Sequence, residues 1–370
     1  MLFISIIVLY FIANGWIFYS LWPSLRVLPP FARGVATTLL VAAALLFPLL
    51  IFFRNTPGTG RTGNFLYSAS SIWLVITLYL SILFILAALL RITGVTVPHY
   101  RAICCGITTL LLIYGYLNFT RVAIRKMEIT LESENYCKEE EKIRIVMASD
   151  IHLGYGISKR RLKKYVSLIR DCNPDLILIC GDLIDSSVDP LYEEKMEEEL
   201  KCLKAKYGIY MVPGNHEYIS GIEKSARFLK QTPIRLLRDS VVKIGKNLTI
   251  VGRDDNSNRN RKRLHQLMAV TESCSASIVL DHQPIESEIE SAIKEKAGIA
   301  LYGHTHKGQI WPLSLLTKAI YPHNYGYEKA GHTHIYVSSG LGLWGPPLRI
   351  GSRSEIAVIE LTLRNRASAG

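Results

Sequence analysis

The chain has 370 residues, 43 of them Lys or Arg against 31 Asp or Glu, for a formal net charge of +12. Nine of the basic residues precede Glu128, where no acidic residue occurs, so the rest of the chain holds 34 basic against 31 acidic residues. The excess charge therefore belongs to an apolar N-terminal part, which argues against a nucleic-acid-binding role for the C-terminal two-thirds. Seven scattered cysteines, with no zinc-knuckle pair, argue against a disulfide framework and suit a reducing compartment.

Residues 2–22, 34–53, 68–90 and 102–120 are apolar and uncharged. Each is about as long as a bilayer-crossing helix, which needs roughly 20 residues. The connectors carry Arg, Pro and Gly, as at Pro29, Pro30, Arg33, Arg54, Pro57 and Gly58. Trp16, Trp22, Tyr67 and Trp73 lie near span ends, as interfacial aromatics do. The first stretch lacks the basic start and small-residue cleavage site of a signal peptide. Residues 1–126 thus read as an all-α region of about four transmembrane helices, with both ends on one side. Arg54, Arg61, Arg121, Arg125 and Lys126 fall on the side of the large domain, and Arg26, Arg33, Arg91 and Arg101 on the other. That difference leans toward a cytoplasmic domain on the cell (inner) membrane.

Residues 127–141, with Glu139, Glu140 and Glu141, read as an exposed linker, and 364–370 as a tail. Between them, 142–363 reads as one α/β domain. The apolar run 143–148 ends in Ser149-Asp150-Ile151-His152. A helix is expected over 158–172, with Ser158 as N-cap and Pro174 as stop. The apolar run 176–180 ends in Gly181-Asp182-Leu183-Ile184-Asp185. Strand–helix–strand of this kind makes the two strands parallel neighbours. Their C-terminal loops then lie side by side, where open α/β sheets bind ligands.

The pattern continues with a charged helix over 189–206 and a strand over 207–212 ending in Pro213-Gly214-Asn215-His216-Glu217. Next come a helix at 221–230, paired strands at 236–244 and 248–251, and a basic loop at 254–263. The strand 276–280 ends in Asp281-His282, and 299–302 ends in Gly303-His304-Thr305-His306. Strands at 335–338 and 355–361 flank Gly340, Gly342 and Arg349.

Asp150, His152, Asp182, Asn215, His216, His282, His304 and His306 all come after apolar runs. A lone loop histidine is usually a hydrogen-bonded surface residue; a whole set delivered by strand ends is not. Oxygen and nitrogen donors without thiolate suit Mn, Zn or Fe. Two neighbouring cations need a bridging ligand, and a carboxylate such as Asp182 can bridge. Such pairs lower the pKa of a water and clamp the oxygens of a phosphoryl group.

The order D-x-H, G-D-x-x-D, G-N-H-E, H, G-H-x-H resembles the calcineurin-like metallophosphoesterase family over about 143–363. The continuation Gly308-Gln309, residues 336–342 and Pro347-Leu348-Arg349 is similar to a bacterial, often membrane-tethered subfamily. The resemblance implies a four-layer α/β/β/α sandwich and hydrolysis of a phosphate ester or pyrophosphate bond by a water that two divalent metal ions activate. It implies for some members a lipid-linked or cell-envelope substrate, UDP-diacylglucosamine among them. Membrane lipids and a phosphorylated substrate are then the expected partners.

Carried over residue by residue, the resemblance implies that Asp150, His152, Asp182 and His306 hold one metal, and Asp182, Asn215, His282 and His304 the other. It makes His216 the general acid or charge stabiliser at the leaving group and Asp185 its orienting partner. Lys307 stands where the subfamily mostly has Gly and adds a positive charge near the phosphate. Arg349 contacts substrate phosphate or else pairs with Glu355. A second Gly-His-Thr-His at 331–334 precedes a strand instead of following one, so His332 and His334 read as exposed loop or strand-start residues. The basic clusters Lys159-Arg160-Arg161, Lys163-Lys164, Arg259 and Arg261-Lys262-Arg263 are solvated faces or attract anionic headgroups. Two other functions fit the same residues: a phosphodiesterase on soluble nucleotides, and a membrane sensor that binds metal or phosphate without turnover.

Overall fold

The computed structural model describes residues 2–53, 60–133, 140–271 and 276–365. The connector at 54–58, linker residues 134–139, Cys137, Cys274 and the tail beyond 365 lie outside the described residues. The chain divides into two compact units, 1–117 with 345–348, and 118–344 with 349–370.

The first unit is helical: α1 (Leu2–Leu25), α2 (Pro30–Phe53), α3 (Gly60–Ile92) and α4 (Tyr100–Thr120). All four are long and apolar enough to cross a membrane. Their surfaces stay apolar because lipid, not protein, is the expected solvent; Leu9, Leu39 and Leu110 are each about two-thirds exposed (65–68%). The inward residues include Ile17, Leu80, Phe84 and Cys104. Buried polar groups pair across helices, as burial in hydrocarbon demands: Trp73 Nε1 donates to Asn14 Oδ1 at 3.0 Å and Arg101 Nε to the Ser20 carbonyl at 2.7 Å.

The second unit carries twelve strands among the described residues: β1 (Ala123–Ser133), β2 (Glu141–Ala148), β3 (Leu176–Cys180), β4 (Ile209–Val212), β5 (Ile234–Leu236), β6 (Ser240–Ile244), β7 (Leu248–Gly252), β8 (Ala276–Leu280), β9 (Ile299–Tyr302), β10 (Gly326–Ala330), β11 (Thr333–Val337) and β12 (Glu355–Asn365). Its helices are α5 (Lys159–Asp171), α6 (Asp189–Glu193), α7 (Met196–Leu200), α8 (Asn215–Ile219), α9 (Ile222–Leu229), α10 (Leu264–Met268), α11 (Glu286–Lys294) and α12 (Leu313–Ile320). The strands form two six-stranded mixed sheets, ordered β1-β12-β2-β3-β4-β5 and β10-β11-β9-β8-β7-β6.

Strand alternation sorts the core into three apolar seams. Ile145, Met147, Leu176 and Leu178 of the first sheet share a cluster with Ile250, Ile278, Leu280, Ile299 and Leu301 of the second. The opposite pleats, Val146, Ala148, Ile177 and Ile179, pack with Leu162, Val166 and Ile169 of α5 and Phe228 of α9. Val251, Val279, Ala300 and Tyr302 pack with Leu264 of α10 and Ile289 of α11. The result is the expected helix–sheet–sheet–helix layering. β2, β3 and β4 are mutually parallel, as are β8 and β9, so their C-terminal loops gather at one edge of each sheet.

Several boundaries differ from expectation. The linker is not exposed coil as far as Ser133: β1 runs parallel to β12 in continuous register. Its buried residues, Ile129 and Leu131, alternate with charged or polar neighbours, a half-buried edge strand that composition disguised as solvated chain. β12 likewise extends into the expected tail, to Asn365. The helix expected over 189–206 is split at Lys195, whose φ of 51° ends α6 and caps α7. The strand expected over 236–244 is broken by Asp239, at φ 46°.

Candidate metal centre and active site

Five site residues sit in the left-handed backbone region: Asp150 (φ 51°), His152 (51°), Asp182 (52°), His304 (71°) and His306 (50°). Non-glycine residues avoid it, and such strain persists only where surrounding structure over-determines it. Here the loops are laced together. Asp150 N donates to the Gly181 carbonyl (3.1 Å), His152 N to the Asp182 carbonyl (2.9 Å), and Gly303 N to the His282 carbonyl (2.9 Å). His304 N donates to Asp150 Oδ1 at 2.9 Å, which binds the two sheets together at the site. Gly181 (φ 79°) must be glycine here, because a Cβ would collide with the His282 ring.

The geometry brings every expected ligand together. Asp150, His152 and His306 present donor atoms within 4.8 Å of one another, and so do Asp182, His282 and His304. His152 Nε2 stands 3.1 Å from His306 Nε2. Asn215 Oδ1 lies 3.2 Å from His282 Nε2 and 3.0 Å from His304 Nδ1. Donors held at about 2.0–2.2 Å from one cation stand roughly 3–3.6 Å apart, so these separations fit metal spheres. Asp182 joins the two sets through one oxygen: Oδ2 is 3.1 Å from His282 Nε2 and 3.8 Å from His152 Nε2. Its other oxygen accepts from His216 N at 2.9 Å.

The histidine tautomers support the same reading. His282 Nδ1 lies 2.8 Å from the Cys180 carbonyl, which can only accept, so Nδ1 carries the hydrogen and Nε2 offers its lone pair. His304 Nε2 meets the Tyr321 hydroxyl at 3.0 Å, leaving Nδ1 toward Asn215. The residues present therefore fit two divalent cations.

His216 lies beside both sets. Its Nδ1 is 3.0 Å from Asp185 Oδ1, and the same oxygen is 3.5 Å from His152 Nδ1. Burial disfavours the imidazolium, but the neighbouring Asp185 and Asp182 carboxylates outweigh it and raise the His216 pKa to about 9. Asp185, which burial alone would push up, is held at about 2 by His152 and His216. Asp185 Oδ1 therefore faces two imidazoles, where the sequence suggested one.

Glu217 is the residue that sequence reasoning left without a role. Fully buried, its carboxylate accepts from Asp182 N (3.0 Å), Ile184 N (2.9 Å) and Gly214 N (2.7 Å). It clamps the Asp182 loop to the Asn215 loop. Burial, then repulsion from Asp182, raises its pKa to about 7. The signal was present as a glutamate three residues after Gly214 at the start of a short helix, the spacing of a capping box. Glu217→Gln replaces one acceptor oxygen with a donor facing N–H groups; it is expected to cost about 3 kcal/mol. Chemical denaturation of the purified protein checks this, and an unchanged midpoint would contradict the clamp. Tyr321 had no sequence signal, because it stands 17 positions after His304 and follows no apolar strand.

Arg349 departs from both expectations. It is fully buried, and its guanidinium donates to the carbonyls of Gly340 (3.1 Å), Gly342 (2.6 Å) and His306 (3.4 Å) and to Ser352 Oγ (3.3 Å). It holds the His306 loop from behind and is not placed to touch substrate. Glu355 is taken by Arg125, Tyr325, Tyr336 and the Ser339 N–H. Lys307 places its ammonium 4.3 Å from the Tyr325 ring centroid, beside the His306 loop. In the basic loop, Arg261 is largely buried against Asp281 at 2.6 Å, so it faces inward and not toward headgroups. Lys159 pairs with Glu198, and Arg161 stacks on Phe119.

The second Gly-His-Thr-His belongs to none of these donor groups. His334 sits in β11, more buried than expected, with Nδ1 2.8 Å from the Tyr327 hydroxyl. His306→Ala is therefore expected to lose metal and activity while His334→Ala keeps both. Metal analysis and turnover of the two variants check this, and the reverse outcome would show that the site uses the other copy.

Residues 143–308 match the family model described as calcineurin-like phosphoesterase. A Helicobacter pylori metallophosphoesterase is 34% identical over 68% of this chain and 67% of its own length. A Campylobacter jejuni metallophosphoesterase is 31% identical over 69% of this chain and 68% of its own. A Danio rerio transmembrane protein with a metallophosphoesterase domain is 32% identical over 69% and 61%.

Proposed function

The chain belongs to the calcineurin-like metallophosphoesterase family, and from that premise we propose that it is a membrane-anchored dinuclear hydrolase acting on phosphate ester or pyrophosphate bonds of lipid-linked substrates. The observation that carries the chemistry is Asp182 Oδ2 facing both donor sets. The lipid-linked substrate is supported by the four helices able to cross a membrane in the same chain.

Two divalent cations, once bound, lower the pKa of a water and offset phosphoryl charge; Mn, Zn and Fe suit this donor set. The chain's own residues complete the reaction. Asp150, His152, Asp182 and His306 form one donor set, and Asp182, Asn215, His282 and His304 the other. His216 Nδ1 is turned to Asp185, which leaves Nε2 to carry a proton to the departing oxygen. Lys307, beside the His306 loop with its ammonium over the Tyr325 ring, adds a positive charge near the site. Glu217 and Arg349 hold the loops at fixed separation.

The test is turnover by the purified full-length protein on phospholipid phosphates, nucleotide-lipid pyrophosphates and cyclic nucleotides, with Mn, Zn and Mg compared. Metal-dependent hydrolysis favouring lipid-linked substrates is expected; a preference for soluble nucleotides would replace the substrate class, and no turnover of any ester would remove the enzyme reading. The arginine and lysine count, five on the side of the catalytic domain against four on the other, supports a cytoplasmic domain. In a chain retaining Cys202, which is exposed, as its sole cysteine, an impermeant thiol reagent is expected to label permeabilised but not intact cells. Labelling of intact cells would reverse the orientation.

A further inference from the structure

Helix α12 is built inside out for a soluble domain. At about 100° per residue, Leu313, Leu315, Leu316, Ala319 and Ile320 fall within an arc of roughly 160°, with Ser314, Thr317 and Lys318 opposite. A helix covering a core buries such an arc. Here Leu313 is 48% exposed, Leu315 63%, Leu316 60% and Ile320 59%, and no residue of the helix is buried. Ser314 and Thr317 are the half-buried residues of the polar side, and Ser314 Cα lies so close to Gly308 that a Cβ there would collide with it. Trp311, two residues before the helix, is half exposed. A contiguous exposed apolar surface marks an interaction site.

This surface is rigidly joined to the metal loops. Tyr321, directly after α12, meets His304 Nε2 at 3.0 Å. Thr305 Oγ1 donates to the Asn324 carbonyl at 2.6 Å, and Trp311 N to the Ile350 carbonyl at 2.7 Å.

Two observations bear on its occupant. The last turn of α4 belongs to the catalytic unit: Phe119 is buried in its core, and Asn118 Nδ2 donates to the Arg349 carbonyl at 3.1 Å. Just two residues, Arg121 and Val122, then separate α4 from β1, so the domain is tethered at the end of a membrane-crossing helix. The segment 311–320 also contains no acidic residue, and its one charge is Lys318. Leucines on one side with lysine on the other, and a tryptophan just before the first turn, is the composition of a helix lying in a bilayer interface.

We propose that the segment 311–320 seats its leucine face in the interfacial layer of the bilayer that this chain spans, and so presents the metal loops to phosphate groups of lipids in that bilayer. The second clause rests on the lipid-substrate reading above; the first does not.

The test uses the full-length protein with native cysteines replaced and Leu316→Cys carrying an environment-sensitive fluorophore. It is reconstituted in phosphatidylcholine–phosphatidylglycerol vesicles with or without doxyl-labelled phospholipid. Strong quenching is expected at position 316 and none at Lys230→Cys, an exposed control site in the same unit. Equal fluorescence with and without doxyl lipid at 316 would overturn the proposal, as would efficient 316-to-316 cross-linking, which would make this face a seat for a second copy. In the functional arm, Leu315→Gln with Leu316→Gln is expected to lower hydrolysis of phosphatidic acid in vesicles at least tenfold and leave a soluble nitrophenyl phosphate ester unaffected. Equal losses on both would overturn the presenting role. Wild-type protein that hydrolyses the soluble ester but no lipid phosphate, with quenching at 316 intact, would refute the substrate reading alone.

Discussion

Asp182→Asn is expected to reduce turnover by more than about 10²-fold, beyond the 10–100-fold typical of losing a group that merely supports a ligand. The reason lies in one atom. Asp182 Oδ2 lies 3.1 Å from His282 Nε2 and 3.8 Å from His152 Nε2, so one oxygen serves both donor sets. An amide keeps an oxygen for the His216 N–H but places neutral charge, or an NH2 group, where two cations converge. The backbone should survive, because Glu217 holds the Asp182 N–H, not the side chain. Metal content should fall from two per chain to one or fewer. Full occupancy with unchanged kcat would remove Asp182 from the bridge.

His216→Gln should behave in the opposite way toward metal and similarly toward rate. Both donor sets are complete without the imidazole, so metal content should stay near two per chain. Proton donation by a positioned side chain is typically worth about 10²–10⁴-fold, and kcat should fall by that factor. The loss should shrink for an ester with a good leaving group, such as nitrophenyl, because its departing oxygen needs less protonation. Asp185→Asn should show a milder loss in the same direction, since it leaves the His216 ring in place but removes the carboxylate 3.0 Å from Nδ1. Equal losses for good and poor leaving groups, at full metal content, would assign His216 to the phosphoryl oxygens and not to the leaving group.

The donor residues were legible because sequence encodes them twice, as residue types and as positions ending apolar runs. Asp150, Asp182, Asn215, His282 and His304 all come after strands that bury completely or nearly so, and burial is what fixes their loops. The two Gly-His-Thr-His copies separated on the same ground: β9 runs into the first, whereas the second runs into β11. Arg349 was misread because sequence gives an arginine's charge but not its direction; only the folded Gly340 and Gly342 carbonyls turn it inward. β1 was missed because charged and polar residues line its outward pleat, so average composition hid the alternation. Tyr321 and α12 lay beyond reach for another reason. Their segment is delivered by no apolar strand, and its apolar residues face outward, contrary to the pattern by which elements are recognised.

Mn(II) titration of the stripped full-length protein decides whether two cations share Asp182. Turnover and electron paramagnetic resonance are measured on the same samples. Activity is expected to rise to its plateau at two equivalents per chain, with an exchange-coupled two-ion spectrum that Asp182→Asn converts to isolated-ion signals. Full activity at one equivalent, or a plateau at two with uncoupled ions in the wild-type chain, would contradict it.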